Sequence, residues 1–302
     1  MGSGIESLVK RFGCKYRYRA LPLLSVDTAR ELAALEDGAC TESSLDLGMS
    51  RVELCRRGSY VEAGSLSIPM DAIEAVARGG KSSSVYAIID SEPREVAAYS
   101  DEWGFCRLRY LGLGIPTTLE INGIHMHRIE GIDPYRGAEL KIRSLGRARG
   151  RVLDTCMGLG YTAIKALERG ASSVVTVEVN PLVIEIARVN PWSRALESPR
   201  ITTLRGDVAK LIYEMPSSYF DAAIHDPPRI SIAGELYSQE FYRELYRVLK
   251  PGARLFHYTG EPGRHGGPSY LKGVRNRLER AGFVAIRWVG RALGFVAAKP
   301  RA

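Results

Sequence analysis

The residues able to do chemistry in this sequence gather where short apolar runs end. Val152-Leu153 delivers Asp154, and Cys156, Gly158, Gly160 and Thr162 follow within eight residues. A carboxylate at the end of an apolar run can hold a cationic or hydroxyl group of a ligand. Two glycines then let the backbone turn beside that ligand, and a following helix offers its N-terminal N–H groups. Eighteen residues after Gly160 comes Glu178-Val179, a carboxylate suited to accepting both hydroxyls of a ribose. A third run ends in Asp207-Val208, which offers a carboxylate and a backbone N–H to the edge of an adenine. A fourth ends in His225-Asp226-Pro227-Pro228-Arg229. A dinucleotide site is one alternative, weakened because Ala163 stands where the third glycine of G-x-G-x-x-G would be; a structural turn is another.

Four such ends can meet only if the runs lie side by side. After Asp133-Pro134 the sequence alternates strand and helix. Strands are expected near 173–178, 201–205, 220–225, 254–258, 284–289 and 294–298, besides the one ending at Asp154. Helices are expected near 138–145, 161–169, 181–189, 208–213, 237–249 and 270–281. Right-handed crossovers make the first five strands a parallel sheet covered on both faces, whose carboxyl edge is the binding edge. The short Gly290-Arg291-Ala292 link makes the last two strands an antiparallel end. The fold class is therefore α/β: a seven-stranded Rossmann-like sheet over residues 136–302, preceded by a smaller β-rich α+β domain over 1–135. That first domain shows short helices at 27–35 and 69–77. Its strands are expected at 51–56, 84–90, 94–99, 105–111 and 117–129.

From about residue 136 to 300 the sequence resembles the class I S-adenosylmethionine-dependent methyltransferases. The resemblance rests on LDTCMGLG, VEVN, RGDV and HDPPR as the first four strand ends. It implies S-adenosylmethionine as cofactor, with Asp154, Cys156, Gly158, Gly160 and Thr162 around its methionine part. Glu178 and Val179 would take the ribose, and Asp207 and Val208 the adenine. Cys156 departs from the common pattern, which has a glycine there.

Asp-Pro-Pro followed by an aromatic marks members of that family that methylate exocyclic amino groups of adenine or cytosine. Such a nitrogen is a poor nucleophile because its lone pair is delocalised into the ring. Asp226 and the Pro227 carbonyl, accepting its two hydrogens, would localise that pair, with Pro228 fixing the turn. Arg229 replaces the stacking aromatic, and its planar guanidinium can stack on a base or hold a phosphate. The sequence looks most like archaeal methyltransferases close to the spermidine-synthase branch. That placement implies RNA as partner, rRNA or tRNA, with N4 of a cytidine favoured. The alternatives are an aminopropyltransferase using decarboxylated S-adenosylmethionine and a non-catalytic RNA-binding module.

Weaker features surround this core. His125-Met126-His127 puts two imidazoles on one strand face, His127 being a substrate candidate, but no third ligand accompanies them and no metal is expected. Tyr135, in the linker, is a candidate to close over the cofactor. Arg264 and His265, in a glycine-rich loop, are candidates for phosphate. The 302 residues carry 42 Lys and Arg against 34 Asp and Glu. Residues 1–150 balance at 20 of each, and the whole excess of +8 lies after them. Residues 245–302 hold 12 basic and 2 acidic groups, and Lys272, Arg275 and Arg280 face away from an apolar helix stripe. A basic face suits an anionic partner better than a polyamine. No apolar run reaches the roughly 18–20 residues of a membrane span, and no signal-peptide core leads the chain. Five cysteines, an odd count without C-x-x-C, are expected to be reduced thiols in a cytoplasmic protein. The oligomeric state is left open, a homodimer included.

Overall fold

The computed structural model describes residues 4–146, 148–260 and 268–301. The chain divides into two compact units. One comprises Met1–Tyr16, Tyr135–Pro181 and Ala195–Ala302; the other comprises Arg17–Pro134 and Leu182–Arg194. The opening elements are α1 (Gly4–Phe12), β1 (Leu23–Leu24), α2 (Val26–Ala33), β2 (Cys40–Ser43), β3 (Val52–Arg57), β4 (Tyr60–Ala63), β5 (Leu66–Pro69) and α3 (Met70–Gly79). Then follow β6 (Tyr86–Ile89), β7 (Glu92–Glu95), β8 (Ala97–Ser100), β9 (Gly104–Arg109), β10 (Thr118–Ile121) and β11 (Ile124–His125).

From α4 (Pro134–Leu145) onward, strand and helix alternate: β12 (Gly150–Asp154), α5 (Tyr161–Glu168), β13 (Ala171–Glu178), α6 (Pro181–Val189), β14 (Ile201–Arg205) and α7 (Val208–Leu211). The run ends with β15 (Phe220–His225), α8 (Gln239–Val248), β16 (Leu249–Tyr258), α9 (Pro268–Arg280), β17 (Val284–Val289) and β18 (Gly294–Ala298).

The seven last strands form one sheet in the order β14-β13-β12-β15-β16-β18-β17. All neighbours pair in parallel except β18, which runs antiparallel to both β16 and β17. The strand order reverses between β13 and β15, around β12, the strand that carries Asp154. A crevice at the carboxyl edge is expected there. Val152, Leu153, Val174, Val177, Ala223 and Ile224 are all buried, the composition of strands covered on both faces. Helix α8 is started by Ser238, whose hydroxyl accepts from the Phe241 N–H, and buries Phe241, Tyr242, Leu245 and Val248. On α9, Val274 and Leu278 are buried while Lys272, Arg275 and Arg280 are exposed, as the apolar stripe requires.

Residues 1–16 belong to this unit because α1 buries Ile5 and Leu8 in the same core as Leu204, Leu211 and Ile212. Their helix is not expected from the sequence, where a nine-residue amphipathic stretch is short for the pattern to stand out.

The other unit holds three small sheets, β1-β6-β7, β2-β3-β4-β5 and β11-β10-β9-β8. Helices α2 and α3 supply Leu32, Ile73 and Val76 to its core with Leu54, Val61 and Ile68. The expected single strand over 117–129 is instead the hairpin β10–β11. Its turn residues, Asn122 and Gly123, have φ of 49° and 79°, the left-handed pair that a two-residue hairpin needs. Cys40 and Cys55 form a disulfide, which corrects the expectation of five reduced thiols. Antiparallel pairing sets the two residues directly opposite on β2 and β3, a matter of register that cysteine spacing does not reveal. Cys14, Cys106 and Cys156 are free. Among the described residues, no helix is long and apolar enough to cross a membrane.

Candidate active site

The site is built at the carboxyl ends of β12, β13 and β15. Asp154 is wholly buried. Its two oxygens accept from Thr162 Oγ1 at 3.1 Å and Thr176 Oγ1 at 2.7 Å, which fixes the carboxylate between α5 and β13. Burial pushes its pKa up to about 7, and the charge of nearby Asp226 adds to the rise. The two threonine hydroxyls and the Lys141 ammonium oppose it.

The glycines divide their labour. Gly158 has φ +53°, and a Cβ there would meet nothing within 4 Å, so its backbone faces open space. Its N–H donates to Glu178 Oε2 at 2.9 Å, while Glu178 Oε1 accepts from the Asn180 N–H at 3.0 Å. Burial raises the Glu178 carboxyl above its ordinary range. Gly160, at φ +77°, starts α5, and a Cβ there would lie 2.5 Å from Leu196 Cδ1. Gly160 is thus required by packing rather than by open space beside it. Cys156 is partly buried beside these acids, and burial with the Glu178 charge pushes its thiol well up, away from thiolate reactivity.

Asp207 stands just past the end of β14 and opens α7. Its carboxylate accepts from the Ala209 N–H at 2.9 Å as the N-cap of α7, with Lys210 at 3.6 Å. Val208 is buried in the core and Val179 is exposed.

Asp226 follows β15 with 18% of its side chain exposed and is ion-paired to Lys141 of α4. The Lys141 ammonium also lies 4.3 Å from the centre of the Tyr258 ring, at the end of β16. Pro227 is buried, the Pro228 carbonyl accepts from the Tyr237 hydroxyl at 2.9 Å, and Arg229 is exposed. Beneath this turn sits a pair of buried imidazoles. His225 Nε2 donates to the Leu236 carbonyl at 2.9 Å and Nδ1 accepts from Thr155 Oγ1 at 2.8 Å. His257, its ring centre 4.5 Å away and tilted by 40°, accepts from the Tyr242 hydroxyl at 2.7 Å. Burial lowers His225 to about 3 and His257 well below its ordinary value, so both are neutral.

Tyr135 belongs to the same unit. Its ring meets Tyr161 edge-on at 5.2 Å, Lys165 lies over it at 3.7 Å, and its hydroxyl donates to Glu168 at 3.4 Å. It is held along α5, from Tyr161 at its start to Glu168 at its end. His127 lies in the other unit, with Nδ1 2.9 Å from Thr118 Oγ1, and His125 Nε2 is 3.3 Å from Glu120. The imidazole pair is thus taken up by neighbours on its own sheet. Arg264 and His265 lie outside the described residues. Among the described residues, the grouping of metal-capable side chains is Cys40, Glu53 and Cys55, whose thiols are joined in the disulfide.

Sequence reasoning misses Lys141, His225 and His257. Lys141 stands 85 residues before Asp226, and nothing local to either marks the pair.

The Methyltransferase domain family matches residues 152–252. Over those residues the chain is similar to a methyltransferase domain. The match begins at the Asp154 strand and takes in Glu178, Asp207 and Asp226. An uncharacterized protein of Methanocaldococcus jannaschii, MJ1233, is 52% identical over 189 residues, 62% of this chain and 65% of that one. Polyamine aminopropyltransferase 2 of Streptomyces coelicolor is 31% identical over 156 residues, 49% of this chain and 28% of that one. The chain therefore spans less than two thirds of either relative. A spermidine synthase solved with the transition-state analogue AdoDATO superposes with a TM-score of 0.57 at 19% identity, over 68% of this chain and 73% of that one. That likeness is one of fold.

The residues here fit S-adenosylmethionine, the cofactor that the sequence resemblance implies. The open space at Gly158 leaves room for a ligand to reach the backbone. Asp154, wholly buried, and Glu178, partly buried, both carry carboxyls raised by burial and suit a ligand that carries positive charge and hydroxyl donors. Asp154 and Gly158 would hold the methionine part and Glu178 the ribose.

Proposed function

We propose that this chain methylates an exocyclic amino group of RNA, with N4 of a cytidine favoured. The observation that carries the reading is the position of Asp226-Pro227-Pro228. It follows β15 directly, one strand from Asp154, and Asp226 keeps 18% exposure. A partly exposed acid on a proline-stiffened turn beside the cofactor crevice is what an amine acceptor needs.

Bound S-adenosylmethionine supplies an electrophilic methyl group on a sulfonium. Asp226 accepts one N–H of the amine and the Pro227 carbonyl the other, turning the nitrogen lone pair toward that methyl. As the nitrogen gains its new bond it sheds a proton, which leaves through Asp226 to water. His225, neutral and donating to the Leu236 carbonyl, holds the stretch after the turn against Thr155, so the acid and the cofactor strand keep one geometry. The exposed Lys272, Arg275 and Arg280 on α9 suit a polyanionic acceptor.

RNA from a strain lacking the protein, digested and compared with wild type by mass spectrometry, should lose one N-methylated cytidine. An unchanged nucleoside profile counts against RNA as acceptor. The second reading, an aminopropyltransferase, is favoured by the Streptomyces relative and by the fold likeness to spermidine synthase. Calorimetry separates them: clear preference for decarboxylated S-adenosylmethionine supports the second reading and sinks the first.

A further inference from the structure

Asp226 does not face the acceptor alone. Lys141, carried by α4, binds its carboxylate and at the same time lies over the Tyr258 ring. All three side chains are at least partly buried, Lys141 retaining only 11% exposure, so the ammonium is held in one place and little screened by water. His225 and His257 are directly opposite on β15 and β16, so Asp226, the residue after β15, follows one partner as Tyr258, the last residue of β16, follows the other.

We propose that Lys141 is the residue that selects the acceptor by charge, admitting a neutral planar amine and turning away a protonated alkylamine. The inference rests on the methyltransferase reading above and adds to it the reason for the acceptor class. An isolated carboxylate at the mouth of a crevice attracts ammonium groups, and alkylamines are ammonium ions near neutral pH. With Lys141 bound to it, the acid presents no net charge to an incoming molecule. It still has oxygen lone pairs to accept an N–H. An exocyclic amine of a nucleobase is uncharged and needs no more than that. A diamine or triamine needs the negative charge that Lys141 cancels, and it also meets the repulsion of the ammonium itself. Lys141 thus acts through Asp226 as a positioning and specificity residue.

The test compares wild type with Lys141→Met, Lys141→Arg and the double variant Lys141→Met/Asp226→Asn. Putrescine is the cationic probe, and RNA from the deletion strain is the acceptor. Calorimetric binding of S-adenosylmethionine establishes that each variant is folded, and Lys141→Gln replaces the Met variant should that one fail. Lys141→Met should bind putrescine about tenfold or more tightly than wild type and lose kcat on RNA. The double variant should lose the putrescine gain, because the gain requires the Asp226 charge. Lys141→Arg should keep the wild-type preference. Putrescine affinity and RNA kcat unchanged in a folded Lys141→Met variant would overturn the assignment, as would a gain that survives in the double variant. A wild-type protein that prefers decarboxylated S-adenosylmethionine refutes the methyltransferase reading itself. That result is read before any variant is made.

Discussion

Asp154 offers the sharpest quantitative test, because its two chemical roles oppose each other. The side chain is wholly buried, and its pKa is pushed from the ordinary 3.8 to about 7. Between those values the folded protein holds a proton that the unfolded chain has released. Stability from this group is therefore complete below about pH 4, falls as pH rises through the window, and is gone above about pH 7. At about 1.4 kcal/mol per decade, the gap from 3.8 to about 7 corresponds to about 4 kcal/mol lost at high pH. Asp154→Asn keeps the shape and a partner for each threonine hydroxyl while removing the charge. Above pH 7 the ligand-free variant should be more stable than wild type by roughly 2–4 kcal/mol, or about 4–8 °C in Tm. Near pH 4 the advantage should vanish.

The assay is thermal unfolding of both proteins from pH 4 to 9, with and without S-adenosylmethionine. Only the difference between the two curves is diagnostic, since His225 titrates in the opposite sense. Its folded pKa is depressed to about 3, so its stabilisation is full above about pH 6.5 and is lost as pH falls toward 3. The two effects partly cancel in the wild-type curve, and subtraction isolates Asp154. Ligand should reverse the ranking. An ionised Asp154 gains a cationic partner, so stabilisation by S-adenosylmethionine should grow through pH 7 in wild type and stay flat in the variant. A difference curve that is level from pH 5 to 8, or a ligand-free variant less stable at pH 8, would refute the reasoning from burial.

Four further outcomes follow from the same geometry. Gly158→Ala should fold, costing about 1–2 kcal/mol for the left-handed backbone, but its methyl group enters open space beside Glu178. Calorimetry should then give S-adenosylmethionine binding weakened by roughly tenfold or more. Gly160→Ala should instead lower Tm by several degrees, because its Cβ would sit 2.5 Å from Leu196; an unchanged Tm would mean that this contact relaxes freely. Asp226→Asn should abolish methyl transfer in a radiolabel assay while cofactor affinity changes by no more than about tenfold. Retained transfer would remove Asp226 from the chemistry. His225→Phe should flatten the acid side of the stability curve between about pH 6.5 and 3, and a curve as steep as wild type would assign the acid sensitivity elsewhere.

The sheet was legible because its signals are local. Each of the first four strands announces itself by an apolar run, a polar group at its end and a turn residue, all within about ten residues, and the helical crossovers between them make the strands parallel. Some local signals admit two meanings. Asp207 is both an acid at a strand end and an acid opening a helix, and its carboxylate caps α7 through the Ala209 N–H two residues away. The hairpin at Asn122-Gly123 was readable from that dipeptide alone, which outweighs the apolar alternation on either side of it. The Cys40–Cys55 bond depends on register between β2 and β3, which spacing alone does not fix.

Lys141 belongs to a third kind, and it bears directly on function. Within α4 it is one basic residue among several, and Arg136 and Arg143 on the same helix pair with Glu139 in the ordinary surface manner. What sets Lys141 apart is burial, which sequence does not carry for a long side chain that could as well reach water. An exposed pair such as Arg136–Glu139 contributes little. An ammonium held at 11% exposure against an acid and an aromatic face sits where water screens it weakly and where its removal leaves Asp226 unpaired. The uneven charge of the sequence therefore misleads if read as a sum. The basic excess after residue 150 suits a polyanion, yet among the described residues the cation that touches the acceptor acid comes from the electrically balanced first half. On the proposed reading, discrimination between a nucleobase amine and an alkylammonium would be set at Asp226, by one charge at contact distance, rather than by the field of the whole surface.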